Sequence, residues 1–432
     1  MRYPVKHAPA FSSCRLLSWI LQATCVLVLL DASPLVGQNW PQFRGPTGDG
    51  HVAGKKLVTS WSESENIRWK LAVPGSGWSS PVIWGDQVWV TSARKEGREL
   101  YAQCVTRTGE LIHDVKIFEV ELPEVKNALN SFASPTASIE EGRLYVHFGT
   151  YGTACLDTAS GEILWSRRDL TLDHQEGPGS SPILHGNYLI FHCDGRDIQY
   201  LTALHKQTGK TAWKTNRSID LSVVGDFARK AFSTPLIVTH AGVTQLVSPA
   251  AQGCYSYDPA TGKELWRVRY SGFSAVPSPV LAGGKVHVIT DFGKPEIWAV
   301  GLDGRGDVTE THVDWTFSGS VSSTPSAVAA DGLLYFIADK TGVASCLDLE
   351  SGKLVWQHRI GGSFSASPIL SGERVYFFDR DGRTTVLAHG RTPKQLSVNK
   401  LQAGCMASPA ASDGALYLRS TTHLYRIEAK GR

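Results

Sequence analysis

The chain has 432 residues, with 43 Lys and Arg against 40 Asp and Glu, so its formal net charge is only +3 at pH 7. This near-neutral balance argues against nucleic acid as a main partner, because binding the phosphate backbone needs a strongly basic surface. Gly (42) and Pro (21) are frequent, and no helical period of useful length accompanies them, which favours a strand-rich fold.

Residues 1–38 have the pattern of an export signal. Arg2, Lys6 and Arg15 precede a mostly apolar run from Leu16 to Leu30, and small residues follow it. An uncleaved membrane anchor is the alternative for this segment, since no clean cleavage site ends it. Removing 38 residues with three basic and one acidic side chain (+2) leaves about 394 residues at +1. The signal predicts an exported protein of the periplasm, cell envelope or extracellular space.

A Ser-Pro or Thr-Pro dipeptide then opens a short apolar run eight times, at intervals of 41 to 54 residues. A period in this range indicates a repeat architecture. The eight prolines are Pro81, Pro135, Pro182, Pro235, Pro279, Pro325, Pro368 and Pro409.

Each repeat contains four strand-like runs. The Pro-led run, such as Ser181–Leu184, is followed by an alternating β-branched and aromatic run, such as Leu334–Ile337. A third run ends in Asp, as in Ala154–Asp157, and a Ser/Thr-Gly turn leads to a fourth run that ends in Trp, as in Gly161–Trp165. Eight such units predict an all-β fold, an eight-bladed β-propeller of four-stranded antiparallel blades.

The last repeat ends before its fourth strand. An unpaired strand with the right ending, Asn66–Leu71, precedes the first repeat. We therefore expect this N-terminal strand to complete the last blade and close the ring, which removes an exposed sheet edge. The propeller would span residues 61–432 as one domain, and the Gly- and Pro-rich residues 39–60 would form an extended arm along it.

The closing element Asp-x-x-Ser/Thr-Gly-Lys/Glu-x-x-Trp resembles the repeat of pyrroloquinoline-quinone (PQQ) type propellers, over roughly residues 40–430. In that family the Trp packs between adjacent blades and locks them together. The matching positions here are Trp69, Trp165, Trp213, Trp266, Trp315 and Trp356.

The resemblance covers two kinds of protein with different roles. Quinoprotein alcohol dehydrogenases bind PQQ and calcium on the propeller axis, whereas the barrel-assembly propeller lipoprotein is not an enzyme; fold alone does not decide between them. The adjacent Cys pair of the dehydrogenases has no counterpart here, and their calcium ligands and catalytic Asp cannot be matched. We therefore assign no catalytic or metal-binding residue and no cofactor. PQQ and calcium belong only to the enzyme alternative, in which Trp78, Phe132, Phe232 or Phe364 would stack on the quinone.

Six cysteines follow the signal segment. Cys104, Cys155 and Cys346 fall at equivalent third-strand positions, so they read as small buried hydrophobic residues rather than disulfide partners.

Strand alternation places three long insertions on one face of the ring: Phe118–Ala133, Ser166–Gly179 and Lys214–Phe232. Loops longer than a hairpin needs are usually functional or mobile. An Asp followed closely by Gly recurs in the loop after the second strand, at Asp194, Asp291, Asp339 and Asp379; the alternative to ligand binding there is a plain hairpin turn. Lone histidines are more often ordinary polar residues than ligands. The binding-face candidates are His174, Gln175, Asp194, Arg196, Arg229, Lys230, Asp291, Lys294, Asp339, Lys340, Asp379 and Arg380.

The sequence thus favours a non-catalytic protein-binding or scaffold module of the cell envelope. Its partner would be an envelope protein or peptide on the long-loop face, bound by strand addition or groove contacts, with outer-membrane protein assembly as the most specific version. The chain would be monomeric and would not span the membrane after signal removal. A PQQ-dependent oxidoreductase is the alternative, and carbohydrate or small-ligand binding in the axial funnel is a third option.

Overall fold

The computed structural model describes residues 38–290 and 292–430. The predicted signal segment, up to residue 37, and the binding-face candidate Asp291 lie outside the described residues. The described part forms eight sheets, each with four antiparallel strands, arranged as an eight-bladed β-propeller, which confirms the predicted fold class. None of its helical turns is long or apolar enough to cross a membrane.

Two strands precede the first blade, β1 (His51–Val52) and β2 (Ile67–Ala72). From the axis outwards, blade 1 contains β3 (Val82–Trp84), β4 (Gln87–Arg94), β5 (Glu99–Thr106) and β6 (Leu111–Glu119), and blade 2 contains β7 (Ser138–Glu140), β8 (Arg143–His147), β9 (Thr153–Asp157) and β10 (Ile163–Arg167). Blade 3 contains β11 (Ile183–His185), β12 (Tyr188–Asp194), β13 (Gln199–His205) and β14 (Thr211–Asn216), and blade 4 contains β15 (Leu236–His240), β16 (Val243–Ala250), β17 (Gly253–Tyr257) and β18 (Glu264–Arg269). Short 3₁₀ turns lie at Lys95–Gly97, Gly149–Tyr151 and Asp226–Ala228.

Blades 5 to 8 follow the same order from the axis outwards. Blade 5 contains β19 (Val280–Ala282), β20 (Lys285–Ile289), β21 (Glu296–Gly301) and β23 (Val313–Ser318), and blade 6 contains β24 (Val328–Ala330), β25 (Leu333–Ile337), β26 (Val343–Asp348) and β27 (Leu354–Arg359). Blade 7 contains β28 (Ile369–Ser371), β29 (Arg374–Phe378), β30 (Arg383–Ala388) and β31 (Gln395–Lys400), and blade 8 contains β32 (Ala410–Ser412), β33 (Ala415–Arg419) and β34 (His423–Ile427). The short β22 (Gly306–Asp307), between β21 and β23 in the chain, joins the sheet of blade 4 by pairing in parallel with β18.

The hydrophobic core lies between neighbouring blades. The second strand of a blade is buried on both faces, as in β25 and β33, whereas outer strands such as β2 and β23 alternate exposed and half-buried positions. This contrast follows from packing sheet on sheet around a ring, since only the outermost strand meets solvent.

The ring closes as predicted. β2 pairs antiparallel with β34, from Ile67 opposite Ile427 to Ala72 opposite His423. The last blade is therefore completed by a strand from the other end of the chain, and its sheet edge is covered.

The repeated Gly and Trp meet across blade boundaries. The Trp165 indole donates a 2.9 Å hydrogen bond to the Lys206 carbonyl, and a Cβ on Gly209 would lie 2.6 Å from its ring. Because Gly209 also has a positive φ of 69°, only Gly suits both the turn and the close approach. The same contact joins Trp69 to Gly109, Trp213 to Gly262 and Trp315 to Gly352, and His113 takes the role of Trp against Gly161.

Three boundaries use variants of this contact. Trp356 donates to the Gly390 carbonyl, whereas the fully buried Trp266 donates to Gln245 of its own blade. In blade 7 the position equivalent to the Trp is Ser397. There Trp61 of the N-terminal arm stacks on Tyr376, with ring centroids 6.4 Å apart.

A ring of hydroxyl groups surrounds the axis. A Ser or Thr stands two residues before the first strand of every blade, and its hydroxyl accepts the backbone N–H of its counterpart in the preceding blade at 2.8–3.1 Å in six cases. In blades 2 and 6 the proline precedes this residue instead of following it, so the hydroxyl is the true repeat position. The eight residues are Ser80, Thr136, Ser181, Thr234, Ser278, Ser326, Ser367 and Ser408.

The N-terminal arm crosses the axis instead of running along the ring. Trp40 exchanges two backbone hydrogen bonds with Ile83 of blade 1, and the Pro41 carbonyl accepts the N–H of Ile139 in blade 2. The buried Arg44 donates to the Ala327 carbonyl of blade 6, and β1 pairs in parallel with β28 of blade 7. Because these partners are first strands around the ring, the arm closes one end of the axial channel.

Candidate binding cavity on the propeller axis

A cavity of about 750 Å³ occupies the other end of the axis. Its inner part carries six of the eight ring hydroxyls, and Phe43 of the arm also contributes to its wall. The cavity is therefore a funnel closed by the arm and open towards the long loops. The six hydroxyl residues are Thr136, Ser181, Thr234, Ser326, Ser367 and Ser408.

Aromatic side chains form much of the apolar wall. Trp78 and Phe232, both predicted from the sequence, line the cavity. Phe227, Phe273 and Phe292 also line it and form a ladder in which successive ring centroids are 5.5 and 5.4 Å apart. The sequence prediction missed this ladder, because its three residues lie in non-repeating loops.

The other two predicted funnel aromatics lie outside the cavity wall. Phe132 packs against Tyr151, with ring centroids 6.0 Å apart, and fills the space beside Gly97. Phe364 is only 1 % exposed and belongs to the core between blades 6 and 7. Neither residue can stack on a ligand in the funnel without leaving these contacts.

Large apolar side chains are exposed on the loops beside the cavity mouth. Val125 and Val223 are 86 % and 81 % exposed, values far above those of core valines. Their loops also supply Leu129 and Phe227 to the cavity wall, so the rim and the wall are continuous. We call this set the apolar rim; it comprises Leu122, Val125, Leu129, Val223, Phe227 and Phe292.

The first two long loops are tied to each other. Asn130 donates to the carbonyls of Glu176 and Pro178 at 2.7 and 3.1 Å, and the Asn127 amide donates to the Glu176 carboxylate at 2.9 Å. His174 is buried and its Nε2 accepts the backbone N–H of Thr150 at 3.0 Å. Burial lowers the pKa of His174 to about 4, so the ring is uncharged and anchors the loop.

Five of the predicted binding-face residues line the cavity. Lys230 donates from Nζ to the Phe227 carbonyl at 2.6 Å, and Arg380 donates to Ser365 Oγ at 2.8 Å. Burial lowers the pKa of Arg380, and the charge of Asp339 partly offsets this. The five residues are Gln175, Lys230, Asp339, Lys340 and Arg380.

Asp194 and Asp379 have structural partners. Asp194 is buried in a bidentate pair with Arg217, at 2.7 and 3.1 Å, and lies 3.0 Å from His192 Nδ1. Burial alone would raise the pKa of Asp194, but the charge of Arg217 holds it below its usual value. Asp379 accepts the backbone N–H groups of Asp381 and Arg383, which is the hairpin-turn alternative for this motif.

The remaining predicted residues lie on or near the rim. Arg196 is paired with Asp173 at 2.5 Å and with Asp226 at 3.4 Å. Arg229 donates to the Val224 carbonyl and so braces its own loop, whereas Lys294 is exposed and does not line the cavity.

Within residues 38–290 and 292–430, no three His, Cys, Asp or Glu side chains converge in a way that could hold a metal ion. The six cysteines of the same range are all buried and unpaired.

Comparison with known proteins gives one family and one fold. The sequence profile of the family described as outer membrane protein assembly factor BamB matches residues 104–241 and 197–431. No curated protein sequence matches the chain significantly.

Solved structures share the architecture at low sequence identity. The quinohemoprotein alcohol dehydrogenase of Comamonas testosteroni is 13 % identical, with a TM-score of 0.64, over 91 % of this chain and 81 % of that one. BamB from Moraxella catarrhalis is also 13 % identical, with a TM-score of 0.59, over 84 % and 98 %. The computationally designed Ika8 protein is 15 % identical, with a TM-score of 0.56, over 87 % and 100 %. At these identities the likeness concerns the fold alone.

Proposed function

The chain belongs to the family of outer membrane protein assembly factor BamB, and on that premise we propose that it is an exported, non-catalytic binding module of the cell envelope. Its partner is a protein that docks on the apolar rim and reaches into the axial cavity. Assembly of outer-membrane proteins is the process in which we place it.

The observation that carries this proposal is the apolar rim. Three of its six large apolar side chains, Leu129, Phe227 and Phe292, line the aromatic cavity, and the other three are exposed on the same loops as Leu129 and Phe227. Contiguous exposed apolar surface bordered by polar residues is typical of protein-interaction sites, and covering one such side chain fully contributes roughly 1.5–3 kcal/mol. A partner that covers several of them gains enough free energy for stable docking.

Site-specific photo-crosslinking tests the proposal. A photo-reactive amino acid replaces Val125 or Phe227 on the rim, or Leu281 or Val398, which are exposed apolar residues outside the rim. In the cells that produce the protein, both rim positions should crosslink to the same envelope protein, and the two control positions should not. Crosslinks of equal yield from all four positions, or none from the rim, would contradict the proposal.

A PQQ-dependent oxidoreductase remains the second candidate because the cavity combines Trp78 and Phe232 with Lys230, Lys340 and Arg380. Such a wall could hold an aromatic ligand that carries carboxylates. Titration with PQQ and calcium, followed by thermal unfolding, separates the candidates, since a ligand at 100 times its Kd stabilises the fold by about 2.7 kcal/mol. A saturable shift favours the oxidoreductase, and no shift at saturating PQQ favours the binding module.

A further inference from the structure

The inner part of the cavity is rich in unused hydrogen-bond donors. Each of its six ring hydroxyls already accepts one backbone N–H from the neighbouring blade. A hydroxyl also has one O–H to donate, and within the described residues none of these six donates to a protein acceptor. Because they line the cavity, their O–H groups are available to oxygen acceptors of a bound molecule.

The cavity also holds three cations without a carboxylate partner. No carboxylate oxygen of the described residues lies within 4.0 Å of Lys230, Lys340 or Arg380, whereas Arg196 near the rim has two acidic partners. Two carboxylates, Glu176 and Asp339, line the same cavity. Cations outnumber acids there, and cations without a carboxylate partner favour a ligand that supplies negative charge.

The rim determines what kind of molecule carries that charge. Its exposed side chains lie on three separate loops, and Phe273 joins the rim residues Phe227 and Phe292 along the cavity wall. A small free anion would leave the outer apolar surface uncovered. A polypeptide covers it, since aromatic or aliphatic side chains can pack on the ladder while backbone carbonyls and acidic side chains reach the donors below.

We propose that the partner inserts an extended, acidic segment into the cavity, in which a Glu or Asp lies close to a large apolar residue. This inference rests on the proposed function and specifies the chemistry of the partner. The carboxylate binds Lys340 and Arg380 and accepts O–H groups of the hydroxyl ring, and the apolar neighbour packs on the phenylalanine ladder. Asp339, beside Arg380, opposes the incoming charge and limits the affinity.

Two blocked peptides test this inference: acetyl-Gly-Phe-Glu-Gly-Glu-Phe-Gly-amide and its counterpart with Gln in place of Glu. Isothermal titration at low and high salt measures both against the whole protein. The Glu peptide should bind about tenfold more tightly than the Gln peptide at low salt, and the difference should shrink as salt screens the charges.

Charge variants give the matched controls. Lys340→Gln and Arg380→Gln should each weaken binding of the Glu peptide several-fold and leave binding of the Gln peptide unchanged. Asp339→Asn, at a neighbouring position, should have the opposite effect and strengthen binding of the Glu peptide. Lys340 is exposed and has no side-chain partner among the described residues, so K340Q reports on binding even where R380Q disturbs folding.

The outcomes separate this inference from the proposed function. The inference of an acidic segment is wrong if the two peptides bind with equal affinity. It is also wrong if neither binds at millimolar concentration while the rim still crosslinks to its partner. Both outcomes leave the scaffold role unaffected. Loss of the rim crosslinks overturns the scaffold role itself. Tighter Glu binding with the predicted charge effects supports both.

Discussion

The two ends of the propeller axis are built on opposite principles. At the closed end, Trp40 is fully buried and Arg44 donates to backbone carbonyls of its own turn and of blade 6. At the open end, Val125 and Val223 are exposed to solvent and Lys340 has no partner among the described residues. The closed end buries its side chains and stabilises the ring, although Trp40 Nε1 and Arg44 Nη1 have no hydrogen-bond partner among the described residues. The open end leaves apolar and charged side chains exposed, and these are available to a partner.

The two ends of the axis also differ in the length of their loops. Turns at the closed end, such as Gly85 and Gly372, are short and use glycines of positive φ, and the arm lies across the channel beside them. Loops at the open end carry the 3₁₀ turn Asp226–Ala228 and the tied pair Asn130 and Glu176. A rigid ring therefore positions loops whose own stability contribution is small.

Deletion of residues 61–72 should have the largest effect. It removes Trp61 and β2, so blade 8 loses its outer strand and blade 7 loses the ring that stacks on Tyr376. We expect loss of cooperative unfolding, measured by circular dichroism during heating. A truncated chain that still unfolds in one sharp transition would show that the ring does not need this closure.

Trp40→Ala should cost about 3–5 kcal/mol of unfolding free energy, the usual range for removing a fully buried aromatic side chain. Trp78→Ala, at the half-buried open-end residue, should cost less than half as much. Urea unfolding of both variants measures the difference. Equal losses would mean that the two ends contribute equally to stability.

His174 predicts a pH effect at the open end. Its folded pKa of about 4 lies below the ordinary histidine value of 6.5, so below pH 6.5 the unfolded chain binds a proton that the folded chain excludes. The contribution of His174 to the free energy of unfolding is complete above pH 6.5 and is lost as the pH falls towards 4. The loss is about 2 kcal/mol between pH 6.5 and 5, at about 1.4 kcal/mol per pH unit.

His174→Gln isolates this effect, because a Gln carbonyl can accept the Thr150 N–H without titrating. Urea unfolding of both proteins at pH 7 and pH 5 measures it. Stability of the variant should fall less between the two pH values; His287, whose pKa burial lowers to about 4, should contribute equally in both proteins. Identical pH dependence of stability in the two proteins would show that His174 does not cause the loss of stability at low pH.

Phe227→Ser combined with Phe292→Ser should change stability least, by no more than about 0.5 kcal/mol, because both side chains are half exposed. The double variant should nevertheless lose the partner crosslink from position 125. Thermal unfolding and crosslink yield are measured on the same preparation. Unchanged crosslinking would mean that the ladder does not take part in docking.

Much of the fold could be predicted because propeller blades repeat. The Gly and Trp of the fourth strand recur for a local reason, since Trp165 needs a residue without Cβ at Gly209. The closing strand could be predicted because the last repeat lacked one. The hydroxyl ring could be predicted only in part from the sequence. In six blades the proline follows the hydroxyl residue, but at Thr136 and Ser326 it precedes that residue.

The cavity could be predicted only in outline. Trp78, Phe232, Lys230, Lys340 and Arg380 were found because they lie near the starts of blades or in loops at predictable positions. Phe132 and Phe364 occupy similar sequence positions but turn into the core. Local sequence does not distinguish these cases, because the direction of a loop side chain depends on the neighbouring blade.

By itself, the sequence determined the number of blades, their strand order and the recurring Gly and Trp positions, because each depends on residues within one repeat. Only the tertiary structure decided that the arm closes one end of the axis, that Trp61 replaces a missing tryptophan in blade 7, and that six hydroxyls and three unpaired cations share one cavity. These features join distant residues, such as Trp61 and Asn399, which are 338 positions apart, and they arise when the ring closes around its axis.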